Sequence, residues 1–248
     1  MRYLILSDLH SNLEALQAVL AAADGAYEKI VCCGDLVGYG PDPDPTVEWT
    51  RTNVTDVVRG NHDKACSGIT DADDFSSAAR IAAYWTREHL SPENTTYLRN
   101  LPQGPHAISN QFGILHGSPG DEDEYLTTSW EAAESFGLLR HRVSFFGHTH
   151  RQGGFIKHGN RIIELPAQAK ITGKERGKLK IAGDETYLLN PGSVGQPRDG
   201  DNRAAFAIFD TDGLVEYGRA SYDIQTTIKK IIAAGLPDFL AHRLKLGR

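Results

Sequence analysis

Apolar positions in the first sixty residues switch between two periods. "RYLIL" (2–6) is a short continuous apolar run of β type, and "NLEALQAVLAAA" (12–23) then places Leu13, Leu16, Val19 and Leu20 at helical spacing. "KIVCC" (29–33) predicts the next strand. "DPTVEWTRT" (44–52) predicts a helix with Asp44 as N-cap and Pro45 at its first position, and "TDVVR" (55–59) a third strand. Strand–helix–strand–helix–strand argues for an α/β core with parallel pairing.

Residues 64–103 change character. "FSSAARIAAYWTREHL" is an alanine-rich helix, and "SPENTTYLRNL" a second one, capped by Ser91 with Pro92 behind it. Together they predict a helical excursion from the sheet. "HAISN" and "FGILH" then read as a hairpin, followed by an acidic loop and a helix near "SWEAAESFGLL". From about residue 143, short strands separated by Gly, Asn and Asp turns dominate: "GGFIKHGNRIIEL", "KLKIAGDETYLLN" and "AAFAIFDTDGLVEYG". "SYDIQTTIKKIIAAGLPDFLAHRLK" is helical. This order suits a second, more antiparallel sheet packed on the first. With neither a repeat nor a low-complexity linker, residues 1–248 read as a single domain.

Composition narrows the picture further. The net charge of −6 disfavours an extended nucleic-acid groove. Asp8 arrives too early for a signal-peptide apolar core, and no apolar run approaches membrane-spanning length, so a soluble, cytoplasmic protein is expected. Three cysteines, with Cys32 and Cys33 adjacent in an apolar run, suit buried reduced thiols facing the core and helix layers.

Candidate chemistry lies where the apolar runs stop. "YLILSDLH" ends in Asp8 and His10, and "IVCCGD" in Asp35. "DVVRGNHD" ends in Asn61, His62 and Asp63, "FGILHG" in His116, and "VSFFGHTH" in His148 and His150. Neighbouring parallel strands deliver their C-terminal residues to one crevice. Any one of these ends is equally well a turn or cap residue, and a lone H-x-H is as readily solvated as metal-binding. Five together make coincidence a poor account. The set exceeds what one open catalytic zinc site uses, and it fills two centres if one aspartate bridges. Two divalent cations against two carboxylates and a hydroxide leave a positive pocket suited to phosphate.

D-x-H, G-D, G-N-H-D, a strand-end H-G and G-H-T-H, in this order over residues 8–150, resemble the motifs of the calcineurin-like metallophosphoesterases. "NPGSVGQPRDG" (190–200) resembles their smaller bacterial and archaeal members. The resemblance implies a four-layer αββα sandwich of two mixed β-sheets with metals at the strand ends. It implies Asp8, His10, Asp35 and His150 on a first metal, and Asp35, Asn61, His116 and His148 on a second. The ions would be divalent manganese, iron, zinc or nickel. It further implies attack on phosphorus by a hydroxide bridging them, with His62 as general acid. Asp63 either orients an imidazole or caps a turn.

"GDLVGYGPDP" lacks the arginine that protein serine/threonine phosphatases carry after their G-D, which counts against a phosphoprotein substrate. Its wording is closer to small-molecule phosphoesterases, including some asymmetric diadenosine tetraphosphate hydrolases. A small phosphodiester or nucleotide-type phosphoanhydride is therefore the expected substrate. A phosphomonoesterase on the same core is the alternative, and a non-catalytic protein-binding scaffold a third reading. Candidate substrate contacts are Arg198, Arg203 and Tyr39, each with an ordinary turn or packing role as its competitor. Tyr125 or the backbone around it borders the pocket in the sharper reading of "GSPGDEDEYL". Tyr84 and Trp85 read as core, and the oligomeric state is open.

Overall fold

The computed structural model describes residues 1–166 and 176–248. Strand β1 (Arg2–Leu6) organises it, because its side chains are buried on both faces. Alternation sends Leu4 and Leu6 toward a helical layer, and Tyr3 and Ile5 into the space between two sheets. Burying each such side chain is worth about 1.5–3 kcal/mol, so β1 must be central. On one side it pairs in parallel with β2 (Lys29–Cys32), which pairs in parallel with β3 (Asp56–Val57). Helices α1 (Leu13–Ala23) and α2 (Pro43–Asn53) connect these strands.

The excursion follows as α3 (Asn61–Ser67), α4 (Ser77–His89) and α5 (Pro92–Arg99). The last two were expected, with Ser91 Oγ accepting from Asn94 N at the α5 cap. The seven-residue α3 was not, since "NHDKACS" carries no helical apolar period. Tyr84 packs against the helix-side core, and Trp85 against the cluster beside α4.

Strands β4 (His106–Ala107) and β5 (Phe112–Ile114) form the predicted hairpin. Helix α6 (Ser129–Leu138) leads to β6 (Val143–Phe145), and β7 (Gly153–His158) with β8 (Arg161–Leu165) form another hairpin. Strands β9 (Arg176–Lys180), β10 (Thr186–Asn190), β11 (Ala204–Asp210) and β12 (Leu214–Ala220) precede helices α7 (Ile224–Ala233) and α8 (Asp238–Leu246). The first sheet has the order β3-β2-β1-β11-β12-β9, the second β4-β5-β6-β10-β7-β8.

Both sheets are mixed, and each contains a parallel triplet: β1–β2–β3 in one, β5–β6–β10 in the other. The expectation that strands after 143 would build a separate, more antiparallel sheet is therefore corrected. β11 returns to the open side of β1, where its six buried residues find a partner, and it brings β12 and β9 with it. A second correction concerns α2. Its cap is Asp42, with Pro43 next, one Asp-Pro unit earlier than expected. The Asp44 carboxylate instead accepts from Ser91 N (2.8 Å) and Asn94 Nδ2 (2.9 Å), tying α2 to α5.

The layers run helix, sheet, sheet, helix. Leu16, Val19, Val47 and Leu98 cover the first sheet; Ile5, Val31, Phe112, Phe145 and Tyr187 fill the space between sheets; Ala132 and Phe136 of α6 cover the second. Cys32 faces the helices and Cys33 the inter-sheet core, both as free thiols. α4, α7 and α8 share a further apolar cluster that includes Ala79, Ala82, Ile228, Ile231 and Leu240. Among the described residues no helix is long and apolar enough to cross a membrane.

Candidate metal centre and its cleft

The two parallel triplets end at the same place. β1 delivers Asp8 and His10, β2 Asp35, β3 Asn61 and His62, β5 His116, and β6 His148 and His150. Strand β10 is a sixth end, and it opens the "NPGSVGQPRDG" loop. That loop lies beneath the others. Ser193 Oγ donates to Asp8 O (2.8 Å), Val194 N to Ser7 O (3.0 Å) and Gly195 N to Asp8 O (2.9 Å). Asn190 Nδ2 donates to Gly147 O (2.9 Å) and Thr149 Oγ1 (3.0 Å). The approach is so close that a Cβ on Gly195 would lie 1.9 Å from Leu9 O.

Two groups of donors result: Asp8, His10, Asp35 and His150; and Asp35, His116 and His148. Asn61 Oδ1 lies 3.3 Å from His116 Nε2 and joins the second. Asp35 belongs to both. Its Oδ1 accepts from His62 N (2.9 Å), whereas Oδ2 has no hydrogen-bond partner among the described residues. Oδ2 lies 3.6 Å from His10 Nε2 and 3.5 Å from His116 Nε2. Asp8 repeats the pattern: Oδ1 accepts from His148 N (3.1 Å), and Oδ2 has no such partner.

Backbone carbonyls aim the imidazoles. His10 Nδ1 donates to Val37 O (2.9 Å), His116 Nδ1 to Cys33 O (2.8 Å) and His150 Nδ1 to Gln196 O (2.7 Å). A carbonyl only accepts, so Nδ1 carries the proton, and each ring in its neutral form would present an Nε2 lone pair to the centre. His148 is reversed: Nε2 donates to Asp123 O (3.0 Å), leaving Nδ1 inward. His10 Nε2 and His150 Nε2 stand 3.1 Å apart, two lone pairs converging on one point. Such convergence requires a cation or a proton between them, so the donor set fits metal ions.

The electrostatics agree. Burial pushes the Asp8 carboxyl up to about 7, with His116 opposing. Burial acts the same way on Asp35, but His116, His62 and His10 together outweigh it and hold that carboxyl well below the usual range. Burial would lower His116, yet Asp35 and then Asp8 raise it to about 10. The carboxylates thus create a well for positive charge. Around it the backbone is strained. Asp8, His10, Ser11, Asp35, Tyr39, His148 and His150 all have φ between 46° and 63°, and no other described non-glycine residue has positive φ. Left-handed backbone of this kind costs about 1–2 kcal/mol per residue and clusters where function over-determines it.

Asp63 takes the capping role rather than orienting an imidazole. It accepts from Leu36 N (2.8 Å), Val37 N (3.3 Å) and Gly60 N (2.9 Å), pinning the start of α3 to the Asp35 loop. Burial, then Asp35, raises its carboxyl to about 7.

A cleft of about 540 Å³ opens over the donors, lined by Tyr39, Asn61, His62, His148 and Arg198 among others. That volume suits a small-molecule ligand. Tyr125 lines it too and stacks on His148, with centroids 3.8 Å apart. Of the candidate substrate contacts, Arg203 is not on the lining, and its guanidinium pairs with Asp201 (2.6 Å). Lys64, Phe75 and Arg243 line the cleft without having been singled out in the sequence. A second cleft of about 550 Å³, beside Phe146 and Phe155, is lined by none of the donors.

A family model described as the calcineurin-like phosphoesterase superfamily domain matches residues 1–214. A metallophosphoesterase from Sphaerobacter thermophilus, known as a crystal structure, is 38% identical with a TM-score of 0.85, covering 100% of this chain and 99% of that one. An uncharacterized protein of Methanocaldococcus jannaschii is 37% identical over 252 residues, 98% of this chain and 97% of its own. A hypothetical protein from Pyrococcus horikoshii shares the fold, at 20% identity and a TM-score of 0.77, covering 100% of this chain and 98% of that one.

Proposed function

The chain belongs to the calcineurin-like phosphoesterase superfamily, and on that footing we propose a dinuclear metallohydrolase of small phosphodiesters or nucleotide-type phosphoanhydrides. Family and buried Asp/His cluster together imply divalent metal ions. One atom supports the dinuclear reading most. Asp35 Oδ2 is buried, lacks a hydrogen-bond partner among the described residues, and stands about equally far from His10 Nε2 and His116 Nε2. An oxygen so placed serves both donor groups at once. Asp8, His10, Asp35 and His150 would hold one ion; Asp35, Asn61, His116 and His148 would hold the other. Manganese, iron, zinc and nickel all suit mixed nitrogen and oxygen donors, and availability selects among them. When bound, two such ions offset phosphoryl charge and lower the pKa of water toward neutrality.

The remaining work falls to the cleft residues. Arg198 presents a planar guanidinium whose Nη2 is steadied by Tyr39 Oη (3.2 Å) and Gln196 Oε1 (2.9 Å), geometry suited to phosphoryl oxygens. His62 Nδ1 is buried against Gly38, so Nε2 is its ring nitrogen toward the cleft. There it holds the proton for the leaving oxygen. Burial lowers this ring to about 4, so the substrate's own negative charge must help it acquire that proton. The size of the cleft and the net charge of −6 favour a small phosphorylated substrate over extended nucleic acid.

The test combines metal analysis of purified protein with assays of chromogenic mono- and diesters and diadenosine polyphosphates under several metals. Two metal equivalents per chain and hydrolysis that disappears on chelation are expected. Full activity in metal-free protein would sink the reading.

A further inference from the structure

Arg243 was not predicted from the sequence, and nothing in the chemistry described so far uses it. It projects from α8, whose Leu240 and Leu244 are locked in the apolar cluster beside the cleft. Its Cζ lies 6.0 Å from the Tyr39 ring centroid, and Arg198 Cζ lies 5.5 Å from the same centroid. Arg59, Arg203 and Arg219 each pair with a carboxylate. Arg198 has no carboxylate within 4 Å among the described residues, and Arg243 meets no Asp or Glu side chain within that distance among them. Arg198 instead bonds neutral oxygens and leaves a buried Nε without a partner among the described residues, while Arg243 Nε donates to the main-chain oxygen of Arg248, the last residue, and its Nη groups have no hydrogen-bond partner among the described residues.

We propose that Arg198 and Arg243, gathered around Tyr39 on the cleft wall, form a subsite for a second phosphoryl group. The substrate class is then a chain of two or more phosphoryl groups, of the nucleoside polyphosphate kind, rather than a lone phosphate ester. The proposal rests on the cleft being the hydrolytic site. Two partly buried guanidiniums side by side repel each other, and Arg243 is lowered to about 10 by burial and by Arg198. A bidentate anion relieves both costs. The acidic residues of the lining do not fill that role. Asp123 is taken by Lys64 (2.6 Å), and Asp71 and Asp74 are exposed to solvent.

The experiment titrates AMP and ADP into purified protein at fixed free metal, by calorimetry, beside turnover of a chromogenic diester. Base, ribose and first phosphoryl are common to both nucleotides, so the affinity ratio isolates the second phosphoryl group. ADP is expected to bind at least about 10-fold tighter than AMP, the scale of a charge-assisted contact. Arg243→Gln and Arg198→Gln should each erase most of that ratio, and Arg243→Lys should retain part of it. Equal wild-type affinities overturn the subsite, as does an unchanged ratio in folded variants. Should Arg243→Gln fail to fold, the Arg243→Lys and Arg198→Gln ratios decide. If no ester is turned over under any metal, yet the ADP preference and its loss persist, the hydrolase reading falls and the subsite stands.

Discussion

On the floor of the cleft, Asp8, His10, Asp35 and His150 are at most 2% exposed, and each is held by hydrogen bonds to backbone groups. On the rim, Tyr125 is 48% exposed, Arg198 and Arg243 are half-buried, and ring contacts and side-chain bonds do most of the holding. The floor takes its shape from main-chain atoms of six strand ends, which hold each donor by hydrogen bonds. The rim takes its shape from side chains on loops and on α8, so it can change one residue at a time. Under the proposed function, the first would carry the chemistry and the second the discrimination between substrates.

Asp35→Asn should break the floor most severely. It removes the charge common to both donor groups, so bound metal, read by elemental analysis, and activity should both fall to background. Retained metal with lost activity would instead assign Asp35 to chemistry alone. His62→Ala should keep the metals and lower kcat by about 10²–10⁴, the usual span for an acid–base group. A fully active variant would strip His62 of that role.

Gly195→Ala attacks the floor from beneath, through the clash with Leu9 O. Overpacking of this kind costs about 1–3 kcal/mol, read as a lowered Tm together with weaker metal retention. If Tm falls and metal binding is unchanged, the loop supports the fold and not the centre. Tyr125→Ala acts on the rim. Losing a ring contact worth about 0.5–1.5 kcal/mol should raise KM roughly 2- to 10-fold and leave kcat within the same range.

The smallest effect concerns the acidic loop that carries Tyr125. Burial would raise the Glu122 carboxyl, but bonds from Arg59 and Lys64 outweigh it and hold the group below its ordinary 4.5. The stabilisation is therefore present above pH 4.5 and is lost as pH falls through the lower folded value. Melting of wild type and Glu122→Gln should differ near neutrality and converge in acid. Curves that stay parallel would remove Glu122 as the fastener of this loop.

Much of the floor was legible in the chain, because apolar runs followed by donors mark strand ends, and parallel strands bring such ends to one edge. β1, β2, β3, β5 and β6 all carried that signature. The sixth end, β10, carried none, since its contribution is made by the amides of Val194 and Gly195, the Gln196 carbonyl and two small side chains. Val37, Cys33 and Asp123 likewise act through carbonyl oxygens that no side-chain pattern encodes. Tandem Asp-Pro units gave α2 two equivalent caps, and the distant partners tell them apart: Lys230 engages Asp42 (2.9 Å), while Ser91 and Asn94 engage Asp44. Arg243 reads as an ordinary cation in the last turn of a helix until α8 packs beside the cleft. The return of β11 to β1 is a contact between the two ends of the chain, beyond the reach of any local period.

Every proposed metal donor lies within residues 8–150, yet the segment that seats them is residues 186–210. Ser193 and Gly195 fasten Asp8, Gln196 aims His150, and β11 completes the sheet around β1. During synthesis, a ribosome that has released the first 150 residues has delivered all the donors but not the footing under Asp8 and His150. The first donor group therefore reaches its full set of hydrogen bonds only once the last quarter of the chain is in place.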